Sequence, residues 1–227
     1  MRGVKKILLY WWVKIPDFLK KSGICGNTTK DVVQLVLMPQ RRIPLQIGNF
    51  YHIYNRGNNH QAIFFERENY LYFLRLVRQH ITSNGVDVVA YCLMPNHYHF
   101  LVYLRDEILS NAMKSLSLSY TKAINQRFNR VGVLFQGRFQ SIHVDRSNYL
   151  VNLSRYIHLN PVKAGLVQQA EEWEFSSYLE YAGLRKGTLP KTELLGALIE
   201  GELAYQQFLG DYQLPDSIGF KRLLLDE

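Results

Sequence analysis

The stretch from 86 to 104 constrains the fold of this chain more than any other. Two runs rich in β-branched, aromatic and aliphatic residues, DVVAYCLM (87–94) and YHFLVYL (98–104), flank the dipeptide Pro95-Asn96. Such residues favour strands, whereas proline and asparagine favour tight turns. The pattern predicts an antiparallel hairpin that turns at Pro95-Asn96, and therefore a fold built on a sheet.

Two histidines separated by one residue, His97 and His99, open the second run. Side chains at i and i+2 of a strand leave the same face, so the two imidazoles are predicted to point together. Two neutral imidazoles side by side are good ligands for a divalent cation. A strand face can also hold two ordinary histidines, so the pair alone leaves a metal site and a packing role both open.

The segments around the hairpin alternate between strand and helix patterns. A strand is predicted at 50–57, an amphipathic helix at 66–83, a long helix at 106–129, a partly extended stretch at 131–145, and a helix that Ser147 caps and that reaches Pro161. Strands mixed with helices of this length predict an α+β sheet domain. A last, acidic helical stretch is predicted near 192–208.

The helix before Pro161 carries further candidate site residues. Tyr156 and Asn160 are four residues apart and share a helix face, and the Asn160 side-chain oxygen is a hard ligand for a cation. Lys163 falls close to the same face if the helix continues through Pro161. Because a residue before proline avoids the α region, we expect the helix to break there, with Asn160 as an alternative cap for a following turn.

The charge of the chain is unevenly distributed. The formal net charge is +8, but residues 1–165 carry 22 lysines and arginines against 8 acidic residues, whereas residues 166–227 carry 5 against 11. The part that holds the histidines is therefore strongly basic. This asymmetry suggests a polyanionic partner, with nucleic acid ahead of an anionic membrane surface, although a solvated basic face without a partner is also compatible.

The N-terminal region and the cysteines bear on domain limits and location. The apolar run ILLYWWV has only seven residues and ends at Lys14, which is too short to span a bilayer, so no membrane association is expected. Two cysteines cannot form a disulfide framework, which fits a reducing cytoplasm. We expect an N-terminal extension of unclear role at 1–37, the main domain at 38–182, and a C-terminal extension at 183–227.

Four segments, in this order and spacing, resemble the REP-associated tyrosine transposases, a branch of the single-tyrosine HUH transposases. They are YHIYNRGNNHQAIFF (51–65), AYCLMPNHYHFLV (90–102), LFQGRFQS (134–141) and SRYIHLNPVKAGLV (154–167). The resemblance covers about 38–182. It implies a ferredoxin-like or RRM-like antiparallel sheet with helices on one face, followed here by a C-terminal helical extension.

The resemblance also implies an activity and a site. Such an enzyme cleaves and rejoins single-stranded DNA through a covalent 5′-phosphotyrosine, at repetitive palindromic hairpins, with Mg²⁺ or Mn²⁺ as cofactor. Position by position, Tyr156 matches the nucleophile, His97 and His99 match the metal-binding pair, and Asn160 falls at a third polar ligand. The partners would be single-stranded DNA hairpins, with the protein acting as a monomer or a homodimer.

Basic residues near these motifs are candidates for DNA binding. Arg56 and Asn58 match the turn of the family after the first strand, although a plain structural turn is also compatible. The metal is the first candidate to activate the tyrosine, and Lys163 is the second. Between 114 and 146, basic residues are interleaved with Tyr120, Phe128, Phe135 and Phe139, of which most are expected in the core, so no stacking residue is named. The predicted DNA-binding residues are Arg56, Asn58, Arg127, Arg138 and Lys163.

Two alternative functions and one alternative nucleophile stay open. An RRM-like sheet with a basic face would also serve a non-catalytic RNA- or DNA-binding module. A replication initiator or relaxase-type nickase would use the same chemistry for a different task. Tyr149, seven residues before Tyr156, lies on nearly the same helix face and is the rival nucleophile.

Overall fold

Four antiparallel strands form the central sheet of the computed structural model. They are β1 (Phe50–Arg56), β2 (Val86–Met94), β3 (His97–Leu104) and β4 (Gln140–Val144), in the spatial order β2-β3-β1-β4. β2 and β3 are joined at Pro95-Asn96, with Met94 paired to His97, which confirms the predicted hairpin. The stretch predicted as partly extended over 131–145 contributes only the five residues of β4.

The structure describes residues 45–196, 198 and 202–210. The expected extension at 1–37 and the expected domain start at Met38 lie outside the described residues, as does much of the region from 197 onwards. The domain limits proposed from the sequence therefore stay predictions.

Helices connect the strands in the order of a ferredoxin-like fold. Helix α1 (Arg67–His80) joins β1 to β2, and helix α2 (Leu109–Arg127) joins β3 to β4. The succession βαββαβ, with β1 and β3 at the centre, is the α+β arrangement predicted from the sequence. The helices that follow are α3 (Ser147–Lys163), α4 (Tyr178–Tyr181), α5 (Glu193–Gly196) and α6 (Glu202–Gly210).

Strand alternation divides β3 between two hydrophobic clusters. Tyr98 and Phe100 lie on the face covered by α1 and α2, where Phe73 packs against both rings. Leu101 lies on the opposite face, in a cluster with α3 residues such as Leu153. Helices α1 and α2 thus occupy one face as predicted, whereas α3 covers the other face, because this face of β2 and β3 is itself apolar and needs a cover.

The predicted helix break before Pro161 is wrong. Helix α3 continues through Pro161 to Lys163 and ends before Gly165, whose φ of 66° is left-handed. Proline lacks only one backbone N–H, and here it stands in the last turn, so a single helical hydrogen bond is forgone. The backbone N–H of Ala164 still donates to the carbonyl of Asn160 at 2.9 Å. Asn160 is therefore a helical residue and not a cap.

None of the helices in the described ranges is both long and apolar enough to cross a membrane. The cytoplasmic location expected from the cysteines stays a prediction.

Candidate active site

The hairpin brings His97 and His99 to the face of β3 that α3 covers. Their ring centroids are 4.9 Å apart and their planes are nearly perpendicular, at 86°. His99 is fully buried, whereas His97 at the start of the strand is partly exposed. The predicted common orientation of the pair is therefore present, with an inner and an outer imidazole.

Each histidine of the pair has one polar neighbour beside its Nδ1 atom. The Nδ1 of His97 lies 2.7 Å from Asn96 Oδ1, and that of His99 lies 3.0 Å from Nε2 of His52, which is fully buried on β1. A carboxamide oxygen only accepts hydrogen bonds, so His97 donates through Nδ1 and keeps its Nε2 lone pair free. Sequence reasoning missed this role of His52, although strand alternation places it one strand from His99 on the same face.

Three buried polar atoms at this site have no hydrogen-bond partner within the described part of the chain: Nε2 of His97, Nε2 of His99 and Oδ1 of Asn160. Each such atom destabilises a folded protein by about 1–3 kcal/mol. Two imidazole nitrogens and one amide oxygen are a donor set that suits a divalent cation of intermediate hardness. The orphaned atoms therefore fit a metal ion.

The donor set is incomplete by itself. Among the described residues, no group of three or more histidine, cysteine, aspartate or glutamate side chains is placed to hold a metal ion. Two histidines and one amide would leave coordination positions for water or for oxygen atoms of a substrate, as Mg²⁺ and Mn²⁺ sites that act on phosphates require.

Burial keeps both imidazoles neutral. It lowers the pKa of His97 to about 4; the neighbouring Asn160 side chain opposes this shift and the positive charge of Arg56 adds to it. Burial likewise holds the pKa of His99 well below its usual range, and the nearby His97 and His52 lower it further. Neutral imidazoles are the form that binds metals, so the pair is ready for a cation at neutral pH.

Helix α3 places Tyr156 against this pair. The Tyr156 ring meets His99 edge to face, with centroids 5.6 Å apart, and Nζ of Lys163 lies 4.7 Å from the centroid of the same ring. Asn160 Nδ2 donates to the Tyr156 carbonyl at 3.1 Å, which occupies the amide nitrogen and leaves Oδ1 for another partner. Tyr156, Asn160 and Lys163 thus come together because the helix does not break.

The rival Tyr149 occupies a different position on α3. It lies seven residues earlier, about 10 Å along the helix axis. Its ring is covered by the guanidinium of Arg146 at 5.2 Å. Of these two tyrosines of α3, the one whose ring contacts a histidine of the pair is therefore Tyr156.

Comparison with known proteins gives this arrangement a family. The profile of the family described as "Transposase IS200 like" matches residues 48–160, which contain both histidines, Tyr156 and Asn160. This chain belongs to the IS200-like transposase family. A Haemophilus influenzae protein described as a REP-associated tyrosine transposase is 28% identical over 103 residues, covering 40% of this chain and 58% of the relative.

A solved structure is also similar to this IS200-like family member. It is the structure of a REP-associated tyrosine transposase bound to a REP hairpin, with a TM-score of 0.56 and 17% identity, covering 68% of this chain and 98% of that one. At this identity the likeness shows the fold, and it agrees with the ferredoxin-like order of strands and helices.

A polar cleft of about 390 Å³ adjoins the histidines of the IS200-like domain. It is lined by Tyr54, Asn55, Arg56, Gln136, Gly137, Arg138 and Gln140. Tyr54 is paired with His99 across β1 and β3, and Arg56 is paired with His97. Two of the predicted DNA-binding residues, Arg56 and Arg138, therefore lie together in a cleft beside the candidate metal ligands.

The turn after β1 is held close to the hairpin turn. The N–H of Gly57 donates to the Asn96 carbonyl at 2.7 Å, and the N–H of Asn58 donates to the Leu134 carbonyl at 2.9 Å. A Cβ at Gly57 would lie 1.9 Å from the Gln61 carbonyl oxygen, so only glycine fits. Asn58 thus lies in a turn tied to the site, with its main-chain N–H engaged.

Arg127, the remaining predicted DNA-binding residue, lies near the end of α2. Its guanidinium forms an exposed ion pair with Glu66 at 2.7 Å, beside the start of α1. Surface pairs of this kind contribute little to stability, and they leave much of the arginine accessible.

A buried hydrogen-bond network supports the helix that carries Tyr156. His158 bonds to the Tyr205 hydroxyl at 2.5 Å and to the Ser177 hydroxyl at 2.7 Å, and Tyr205 donates to Ser154 at 3.2 Å. Arg155 of the same helix lies over the Phe208 ring at 4.2 Å. Helix α6 thereby fixes the back of α3, a role for His158 and Tyr205 that the sequence pattern did not single out.

Proposed function

We propose that this protein is a metal-dependent single-stranded DNA transposase that cleaves and rejoins DNA through a 5′-phosphotyrosine on Tyr156. The observation that carries the proposal is the convergence of three orphaned donor atoms, on His97, His99 and Asn160, beside the only ring of α3 that contacts the histidine pair within the described residues. Membership of the IS200-like transposase family supports it.

In the proposed reaction the Tyr156 hydroxyl loses its proton and its oxygen attacks a backbone phosphorus. The new bond joins that oxygen to phosphorus, and the bond from phosphorus to the 3′-oxygen breaks. The 3′-oxygen then takes up a proton and leaves as a hydroxyl. Attack by another 3′-hydroxyl reverses the sequence and releases Tyr156, so rejoining needs no nucleotide cofactor.

Lys163 is suited to assist this step. A tyrosine hydroxyl with an ordinary pKa of about 10 is a weak nucleophile at neutral pH. A cation close to the ring favours the phenolate, and Lys163 Nζ lies 4.7 Å from the Tyr156 centroid. Lys163 is also exposed, so it can meet a phosphate of the incoming strand.

His97, His99 and Asn160 would hold Mg²⁺ or Mn²⁺, with the two imidazoles favouring Mn²⁺. When bound, such a cation supplies a positive charge that polarises the phosphate. The residues of the chain keep the donors oriented, since Asn96 and His52 hold the far side of each ring.

The proposed substrate is a DNA hairpin with a single-stranded flank. The similar solved structure is of a transposase bound to a REP hairpin, and the basic cleft with Arg56 and Arg138 offers phosphate contacts for such a strand. Whether the protein acts as a monomer or a homodimer stays a prediction from the resemblance.

The non-catalytic RRM-like alternative loses support from the sheet. Binding modules of that type present an open sheet face to the nucleic acid. In the described part of the chain, α1 and α2 cover one face, and α3 with the helices after it covers most of the other. A relaxase-type nickase shares the chemistry, and strand rejoining separates it from a transposase.

The decisive experiment is a covalent-adduct assay with the full chain. End-labelled single-stranded DNA hairpins are incubated with the protein and Mn²⁺, resolved on a denaturing gel, and the modified peptide is mapped. We expect a protein-linked product on the Tyr156 peptide that chelation abolishes, followed by joined strands when a 3′-hydroxyl oligonucleotide is added.

Matched variants assign the nucleophile. Tyr156→Phe should abolish the adduct and leave much of the DNA binding. Tyr149→Phe, the same change two turns away, should still form the adduct. An adduct in Tyr156→Phe would refute the assignment, and tight binding without any adduct would favour the non-catalytic module.

A further inference from the structure

One aromatic cluster faces outward at the end of the sheet that carries the histidine pair. Phe65 is 44% exposed and packs on the half-buried Phe128, with ring centroids 4.8 Å apart. The guanidinium of Arg130 lies 5.6 Å from the Phe65 centroid, and that of Arg127 lies 6.0 Å from the Phe128 centroid. We call these four residues the Phe65 platform.

The other aromatics of this region are not available to a ligand. Tyr120, Phe135 and Phe139 are each less than a tenth exposed and belong to the core beneath α1 and α2. Phe65 lies outside that core cluster. The packing of Phe65 on Phe128 leaves 44% of Phe65 exposed, with the guanidinium of Arg130 beside its ring. Aromatic rings with adjacent cations are the usual means of binding single strands.

The backbone ties the platform to the candidate active site. The N–H groups of Ile63 and Phe64 both donate to the Pro95 carbonyl, at 2.8 and 3.0 Å. Pro95 is two residues before His97, so chain lengths alone put Phe65 within about 15 Å of that histidine. The end of α2, the start of α1, the end of β1 and the start of β3 all meet at this edge.

Charge points to the same partner. Arg56 and Arg138 line the cleft beside the histidines, and Arg127 and Arg130 belong to the platform. The acidic residue Glu66 in this group is neutralised by its ion pair with Arg127. A strand whose phosphates follow these arginines would bring a base to the Phe65 ring.

We propose that the Phe65 platform binds an unpaired nucleobase of the DNA strand that flanks the cleaved phosphodiester, by stacking on Phe65. This inference rests on the proposed function for the identity of the strand. It adds a base-binding site outside the metal and nucleophile residues, and it requires no particular base, because every base offers a flat face.

The test is a double-mutant cycle between protein and DNA. The probe is a DNA hairpin with a single-stranded thymine flank, bound to the full chain in chelator so that no cleavage occurs, with affinity read by fluorescence anisotropy. Single abasic sites are moved along the flank. The protein variants are Phe65→Ala, Phe65→Trp and, as an exposed apolar control, Leu184→Ala, whose native residue is 59% exposed.

We expect one abasic position to weaken binding by wild type about 10-fold, the scale of one base stacked on an aromatic ring. Phe65→Ala should weaken binding to the intact flank by a similar factor, and the abasic site should then have no further effect. Phe65→Trp should bind as wild type or more tightly, and Leu184→Ala should match wild type.

Two results would overturn the platform. The first is a Phe65→Ala variant that binds the intact flank as tightly as wild type. The second is a Phe65→Ala variant in which every abasic site still weakens binding by the same factor as in wild type. Adduct formation by the wild type on Tyr156 is scored separately with Mn²⁺. An adduct without coupling between Phe65 and an abasic site would leave the proposed function standing and contradict the platform. Coupling without an adduct would support the platform and contradict the proposed function.

Discussion

Asn160 shows at the scale of one residue how the proposed metal site would lose stability in exchange for binding. Its Oδ1 is buried without a partner in the described ranges, and two imidazole nitrogens nearby share that condition. A polar atom kept dry and unpaired opposes folding, and such atoms are retained where a ligand satisfies them. We therefore expect the metal-free protein to be less stable than a variant in which an apolar side chain of similar shape replaces Asn160.

Asn160→Leu tests this trade directly. Leucine branches at Cγ as asparagine does and has no polar atom to leave unsatisfied, so the metal-free variant should unfold at an equal or higher urea concentration than wild type. Its affinity for Mn²⁺, measured by calorimetry, should fall at least 10-fold, since a ligand is lost. A variant that binds Mn²⁺ as wild type does would remove Asn160 from the donor set.

The buried histidines also predict the pH dependence of stability. Burial lowers the pKa of His97 to about 4 and that of His158 to about 3, below the ordinary 6.5. Below about pH 6.5 these histidines bind protons in the unfolded chain but stay neutral in the folded chain. The free energy of unfolding therefore falls as the pH drops from 6.5 towards 4. Above pH 6.5 these groups do not affect it.

Urea unfolding in chelator, followed by circular dichroism at pH 7.5, 6 and 5, measures this effect. Each buried histidine contributes up to about 1.4 kcal/mol per pH unit within the window. His158→Gln removes one of these groups, so its unfolding midpoint should fall less steeply with pH than that of wild type. A wild-type midpoint that is constant from pH 7.5 to 5 would contradict the prediction.

At the scale of elements, the relation between α3 and α6 decides how firmly Tyr156 is held. Tyr205 on α6 bonds to His158 and Ser154, which lie on either side of Tyr156 in sequence. A helix whose back is fixed in this way holds its front face in register with the sheet.

Tyr205→Phe removes the hydroxyl and keeps the ring. We expect the free energy of unfolding to fall by about 1–3 kcal/mol, because the hydrogen-bond partners are left unsatisfied. At a temperature where the variant is fully folded, the rate of adduct formation at saturating DNA should still be lower, while the DNA affinity is unchanged.

Tyr103→Phe, which changes a half-buried strand residue, is the control that should leave the free energy of unfolding and the rate of adduct formation as in wild type. An unchanged rate in folded Tyr205→Phe would limit the network to stability.

Sequence reasoning was most successful for this protein where the signal is local. Alternation along 97–104 predicted that His97 and His99 face together, and spacing predicted that Tyr156 and Asn160 share a face, because both depend on backbone geometry over a few residues. The path of α3 through Pro161 and its place on the second face depend on contacts with β2 and β3, which no local pattern encodes. The support from His52 and the exposure of Phe65 likewise arise only when distant segments meet.

For the whole molecule, the uneven charge predicts how DNA binding responds to salt. The affinity for single strands falls with salt in proportion to the number of phosphates contacted, with a slope in log units of about −0.7 per contact. Arg138 lies in the cleft beside the histidines, whereas Arg105 follows the far end of β3 and is paired with Asp87.

A salt titration of hairpin binding in chelator compares these two arginines. Arg138→Gln should make the slope shallower by about 0.7, the loss of one phosphate contact, and should weaken binding at low salt. Arg105→Gln carries the same charge change and should leave the slope as in wild type. Equal slopes for wild type and Arg138→Gln would place the DNA elsewhere on the surface.

The alternation of β3 also restricts how a gene for such a protein can change. In this strand of eight residues the candidate ligands His97 and His99 share one face with Leu101, whereas Tyr98 and Phe100 lie in the core beneath α1 and α2. A single codon inserted immediately before His97 would shift the register of the strand by one residue, turning Tyr98 and Phe100 towards the site and the imidazoles towards the core. We therefore expect length variation to be excluded from the hairpin and to concentrate in the loops, where it leaves the placement of the candidate site residues intact.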